Sequence, residues 1–168
     1  MIVGLEGLST AGKTTFIDMF LAKYPDTLRF RGAGAVNVGM QNRWQEYNFW
    51  MHNIVEQLDK LNKHEKIILW DRFLTDGVHS DDPAYRSEIL RVIKSHAKKV
   101  VIYIDVPDKV LIERGTKEGI LLEERKKRYT DVVSGFKTLM LKPRKENNYY
   151  ITEEEVIQAH NFIMKNLK

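Results

Sequence analysis

The chain has 168 residues, enough for one domain with a proper core, and a formal net charge of +4. Hydrophobic residues make up 43% and charged residues 30%, the balance of a globular protein. The absence of cysteine excludes disulfides, a thiolate zinc site and a cysteine nucleophile, and no apolar run approaches the ~20 residues of a membrane span. An apolar run that opens a strand at residue 2 argues against a signal peptide, and a cytoplasmic protein is expected. The positive charge suits polyphosphate ligands or a nucleic-acid strand, although Lys and Arg are spread rather than blocked.

The first strand is expected over residues 2 to 5. Gly7-Leu8-Ser9-Thr10-Ala11-Gly12-Lys13-Thr14 follows, a complete G-x-x-x-x-G-K-[ST] loop between that strand and a helix expected from Lys13 to Lys23. Backbone N–H groups of such a loop, added to a helix N-terminus, make an anion site. Gly7 and Gly12 allow backbone angles and a close approach that a Cβ would block. Ser9, Thr10, Ala11 and Thr15 complete the wrapping segment. Lys13 reaches the β and γ phosphates of a nucleoside triphosphate, and the Thr14 hydroxyl offers a ligand to Mg²⁺.

Further along, strand and helix patterns alternate, which argues for an α/β domain with a largely parallel sheet. A short strand is expected at 27 to 30, ahead of Arg31-Gly32-Ala33-Gly34. A long helix follows from about 40 to 62, rich in aromatics (Trp44, Tyr47, Phe49, Trp50). The apolar run Lys66 to Trp70 reads as a buried strand. Asp82-Pro83 opens a helix to about 97. Val100 to Val106 is β-branched and strand-like, and Pro107 begins a short helix to Arg114. A lid is expected around 114 to 128, and a charged helix over 121 to 141. Asn148 to Ile151 is expected as the last strand. Thr152 with Glu155 three residues later is a capping box for the final helix.

Asp71 and Arg72 follow the strand ending at Trp70. A carboxylate at the tip of a strand beside a phosphate loop is placed to hold Mg²⁺ directly or through water, and Arg72 can bind an acceptor phosphate. Glu6, immediately before Gly7, can take a proton from an attacking hydroxyl or bond loop amides. Arg114 and Arg128 are the candidates to close over a transferring phosphoryl group, where negative charge is dispersed. Tyr47 and Trp44, with Asn48 nearby, can stack on and read a base, or fill a core. The five histidines lack metal-ligand spacing.

Leu5-Glu6-Gly7 through Lys13-Thr14-Thr15 resembles the phosphate loop of thymidylate kinases. Trp70-Asp71-Arg72-Phe73 resembles their Asp-Arg-aromatic motif. Tyr103 to Pro107, then Glu113-Arg114-Gly115, resembles their fourth strand and the approach to the lid, and Arg128-Tyr129 the helix after it. Arg31 falls where that family has an acceptor-site arginine. The related deoxynucleoside kinases are also similar: Glu6 matches their general base, Arg43-Trp44 their helix start, and Asn48 a base-reading amide. The chain departs from thymidylate kinases at Ser9, Thr10 and Met51.

The resemblance implies a three-layer α/β P-loop kinase fold with about five parallel strands. It implies phosphoryl transfer from ATP–Mg²⁺ to a small acceptor, a deoxynucleoside monophosphate first. In that scheme Arg31, Trp44, Tyr47, Asn48 and Arg72 bind the acceptor, while Lys13, Asp71, Arg72, Glu6, Arg114 and Arg128 act in transfer. A homodimer formed through helices is the family-like assembly. Three alternatives remain: a deoxynucleoside 5′-kinase using Glu6 as base, a kinase acting on a polynucleotide end or a modified base in DNA, and a non-catalytic nucleotide-dependent switch.

Overall fold

The computed structural model describes residues 2–31, 65–71, 99–115 and 135–167, with single helical positions at 60, 87, 91 and 127. The aromatic-rich helix, the helix after Pro83 and most of the expected lid lie outside the described residues.

Five strands form one parallel sheet: β1 (Ile2–Glu6), β2 (Leu28–Arg31), β3 (Ile68–Asp71), β4 (Lys99–Ile104) and β5 (Lys137–Leu141). Their order is β2-β3-β1-β4-β5, with every neighbouring pair parallel. The central strand β1 is buried along its whole length, as a parallel strand covered on both faces must be. That explains its continuous apolar run in place of an alternating one.

Helix α1 (Lys13–Lys23) buries Phe16, Ile17 and Phe20, which recur at helical spacing. It ends at Tyr24, whose N–H still bonds Phe20 O at 2.8 Å, one residue before Pro25. A short helix, α2 (Asp108–Glu113), begins after Pro107. Helix α3 (Glu153–Leu167) closes the chain and buries Val156, Ala159 and Ile163 against the sheet. α1 and α3 touch where the His160 ring stacks on Tyr24, centroids 3.9 Å apart at 7°. Lys23 also bonds Glu153; that hydrogen bond raises the lysine pKa and lowers the carboxylate's.

The glutamate half of the capping box forms as expected. Glu155 Oε2 accepts from the Thr152 N–H at 2.8 Å and from the Thr152 hydroxyl, and Glu155 is buried. Three glutamates also fill the first turn of α3, where the helix dipole favours negative charge. Glu155→Ala should therefore destabilise the protein by about 1–2 kcal/mol, read as a lower midpoint in urea unfolding. An unchanged midpoint would mean the box is incidental.

Two expectations fail. The charged helix expected over 121 to 141 does not reach its far end, because Lys137–Leu141 is strand β5. Lys, Leu and Met are helix formers in isolation, but here their backbone completes the ladder beside β4, with Val100 opposite Lys137 and Ile104 opposite Leu141. As an edge strand β5 exposes Lys137 and Met140 and fully buries only Leu141, so no apolar run announced it. Conversely, Asn148 to Ile151 is not a strand. Asn148 and Tyr149 are left-handed (φ 52° and 60°), and the Asn148, Tyr149 and Tyr150 N–H groups close turns onto Lys145, Arg144 and Asn147 carbonyls. The aromatic and β-branched content that suggests a strand belongs to a turn that exposes Tyr150, half-buries Tyr149 against the core and buries Ile151.

Candidate functional site

The phosphate loop runs from the end of β1 to the start of α1, at the sheet's C-terminal edge, with β3 on one side of β1 and β4 on the other. Open parallel sheets place ligands at this edge. Two side chains at variable positions of the motif anchor the loop: Leu8 and Ala11 are both buried in the core. Between them Ala11 N–H bonds Leu8 O at 3.2 Å.

Gly7 has φ 144° and Gly12 φ 100°, angles that side chains with a Cβ rarely adopt. Thr10, also at positive φ, is exposed at the loop's tip, while Thr14 and Thr15 open the first turn of α1 in solvent. The chain thus presents a helix N-terminus and loop amides to an anion. Lys13 is only 8% exposed and folds over the loop, its Nζ donating to Gly7 O at 2.6 Å and Leu8 O at 2.8 Å. That grip holds the ammonium beside the place where polyphosphate oxygens would lie.

Glu6 ends β1 with 0% exposure, opposite Tyr103 of β4 in register. Asp71 ends β3 opposite Leu5, one residue before Glu6. Both predicted carboxylates therefore reach the loop's root, on neighbouring strands. Asp71 is engaged by an arginine that the motifs did not single out: Arg29 Nη2 donates to Asp71 Oδ2 at 3.1 Å. The signal was present, since a strand puts i and i+2 on one face, so a strand expected to deliver Arg31 also delivers Arg29.

Arg114, at the C-terminal end of α2, is drawn to the loop. Its Nη1 donates to Thr10 O at 3.3 Å and its Nη2 to Asn148 O at 2.8 Å. The guanidinium lies 4.6 Å from the centre of the Tyr150 ring, which is 58% exposed. The turn through Asn148 and Tyr149, where a strand is expected over 148 to 151, is what carries Tyr150 there. Arg72, Trp44, Tyr47, Asn48 and Arg128 lie outside the described residues. Arg31 is placed only by its backbone, opposite Asp71.

Oxygen ligands suit Mg²⁺, which is commonly held by one or two carboxylates together with substrate phosphates. The Thr14 hydroxyl and the Asp71 carboxylate are donors of that kind, and the loop's donor set fits the phosphates. The residues present therefore fit a Mg²⁺–nucleotide.

Comparison with protein-family models and with curated proteins finds no match. Solved structures do resemble this one. Thymidylate kinase from Ehrlichia chaffeensis has a TM-score of 0.55 at 18% identity, over 84% of this chain and 91% of that one. Deoxyadenosine kinase from M. mycoides with bound dATP has 0.54 at 16%, over 96% and 98%. Shikimate kinase from Aquifex aeolicus has 0.57 at 16%, over 98% and 96%. The chain has the P-loop kinase fold: a five-stranded parallel sheet with flanking helices.

Proposed function

We propose that the chain is a P-loop kinase that transfers the γ-phosphoryl group of ATP to a small nucleotide or nucleoside, with a deoxynucleoside monophosphate as the favoured acceptor. The observation that carries it is Lys13 held over the loop by the Gly7 and Leu8 carbonyls, with Asp71 at the neighbouring strand tip.

Loop amides and Lys13 hold the donor phosphates in line and balance the charge that spreads over the moving group. Thr14 and Asp71 would hold Mg²⁺, which supplies charge neutralisation across the donor phosphates. Arg72 and Arg31 bind the acceptor phosphate; Trp44, Tyr47 and Asn48 receive its base. Arg128 closes over the transferring group. Arg114 is expected to share that task, but its bonds to Thr10 O and Asn148 O and its contact with Tyr150 favour a flat cationic platform for the donor's aromatic base. The reading goes with a cytoplasmic location, and pairing of two copies through helices is compatible with it.

ATP consumption with Mg²⁺ is the direct test, across deoxynucleoside monophosphates, free nucleosides and an oligonucleotide. Turnover on one monophosphate is the expected result. Bound ATP with no turnover on any acceptor would favour the nucleotide-dependent switch. Turnover on the oligonucleotide with steep salt dependence would favour a polynucleotide acceptor.

The fully buried Glu6 beside the loop supports one second reading, a deoxynucleoside 5′-kinase. A 5′-hydroxyl must lose a proton, whereas a monophosphate acceptor is already ionised. Glu6→Gln should lower kcat on a nucleoside by about 10²–10⁴-fold, the usual worth of a general base. On a monophosphate the loss should stay within about tenfold. Assay of that one variant on both acceptors separates the readings.

A further inference from the structure

Arg29 belongs to no motif, yet two other elements converge on it. In register, Arg29 of β2 faces Leu69 of β3, and Asp71 lies two residues further along the same face. Its Nη2 bonds Asp71 Oδ2 at 3.1 Å, and its Nη1 lies 3.9 Å from Asp18 Oδ1 on α1. The side chains of Arg29 and Asp71 are 26% and 12% exposed, so solvent and salt screen this pair only partly. Arg29 Nε is buried and has no hydrogen-bond partner among the described residues. The guanidinium is therefore oriented chiefly by its bond to Asp71, with the exposed Asp18 a longer contact, and not by satisfying all of its own donors.

An aspartate at a strand end has staggered χ1 wells and a broad χ2, so its carboxylate has several directions available. The planar guanidinium, itself held between β3 and α1, selects one of them. We propose that Arg29 is a positioning residue for Asp71, holding that carboxylate in the orientation that receives the divalent cation of the donor nucleotide. The proposal rests on the kinase reading above.

Two effects of Arg29 on a cation have opposite signs. Its positive charge nearby repels the cation, while its hold on Asp71 pre-orients a ligand. Partners that orient a metal ligand are typically worth about 10–100-fold in metal affinity. The sign of the change on removing Arg29 therefore decides between them.

The experiment is calorimetric titration of a non-hydrolysable ATP analogue, with Mn²⁺ and with EDTA, into wild type, Arg29→Met and Arg29→Gln. The ratio of the two dissociation constants measures how much the metal tightens the nucleotide, with no turnover involved. In Arg29→Met that ratio should fall by about tenfold, with the EDTA affinity unchanged. Arg29→Gln keeps a polar head in the partly buried slot but not the charged planar fork, so its ratio should fall in the same direction, and it decides the matter if the methionine variant does not fold. An unchanged ratio would reduce Arg29 to a link between strands, and a larger ratio would leave only its charge; either overturns the proposal while the kinase reading stands. If Mn²⁺ fails to tighten the nucleotide in wild type, the kinase reading falls and the role of Arg29 falls with it.

Discussion

Lys13→Ala should lower kcat by about 10²–10³-fold, the loss typical of removing one pre-organised charge partner from a transition state. The structural reason is the way Lys13 is held. Its stem is buried, and its ammonium sits between the Gly7 and Leu8 carbonyls at 2.6 and 2.8 Å. Little reorganisation remains when phosphate oxygens arrive, so the interaction acts where charge develops. The two carbonyls belong to the loop itself, so the substitution also loosens the loop. Lys13→Met keeps most of the buried stem, so it removes the ammonium, its charge together with its two bonds to the loop, without the cavity that alanine also leaves. Both variants should retain the wild-type circular dichroism spectrum while losing turnover. Wild-type turnover in Lys13→Met would sink the donor-site assignment.

Gly7→Ala should cost about 2–4 kcal/mol of stability from backbone strain and overpacking together. A Cβ at Gly7 would stand 2.9 Å from Ile104 O, a backbone atom of the central sheet, and 3.4 Å from the Ala11 Cβ. Neither neighbour is the flexible end of a side chain, so neither can yield cheaply. The residue also sits at φ 144°, which alanine rarely adopts. For a chain of this size the shift in Tm is roughly 5–15 °C downwards. Gly115→Ala is the control, since its φ is 77° but nothing among the described residues lies within 4 Å of the added Cβ. That variant carries strain alone, about 1 kcal/mol. Equal melting shifts for the two variants would show that the close approach to Ile104 contributes nothing.

The two substitutions probe different links. Lys13 tests whether the loop acts on phosphate, and Gly7 tests why the loop has this shape. The buried Leu8 and Ala11 add a point the motif conceals. Two of its variable positions are core residues, so the loop is rigid because half of it is packed.

What could be read along the chain was whatever depends on neighbours in sequence. The loop glycines, the Lys13–Lys23 helix with its buried Phe16, Ile17 and Phe20, the apolar runs of β1, β3 and β4, and the capping box at Thr152 and Glu155 all announce themselves through local spacing. Each carries its own hydrogen-bonding or periodic signature within a few residues.

What needed the fold was whatever depends on a distant partner. Lys137–Leu141 has helix-forming composition and becomes a strand because β4 offers it an open edge. Asn148 to Ile151 looks like a strand, but its turn bonds win and carry Tyr150 to Arg114. Arg29 becomes notable only when register sets it 3.1 Å from Asp71, 42 positions away. By itself the sequence determined that this protein carries a phosphate-loop motif between a strand and a helix, because that pattern is written in one contiguous segment. Only the tertiary structure decided which charges surround it, because side chains far apart in sequence meet only after the sheet fixes its strand order and register.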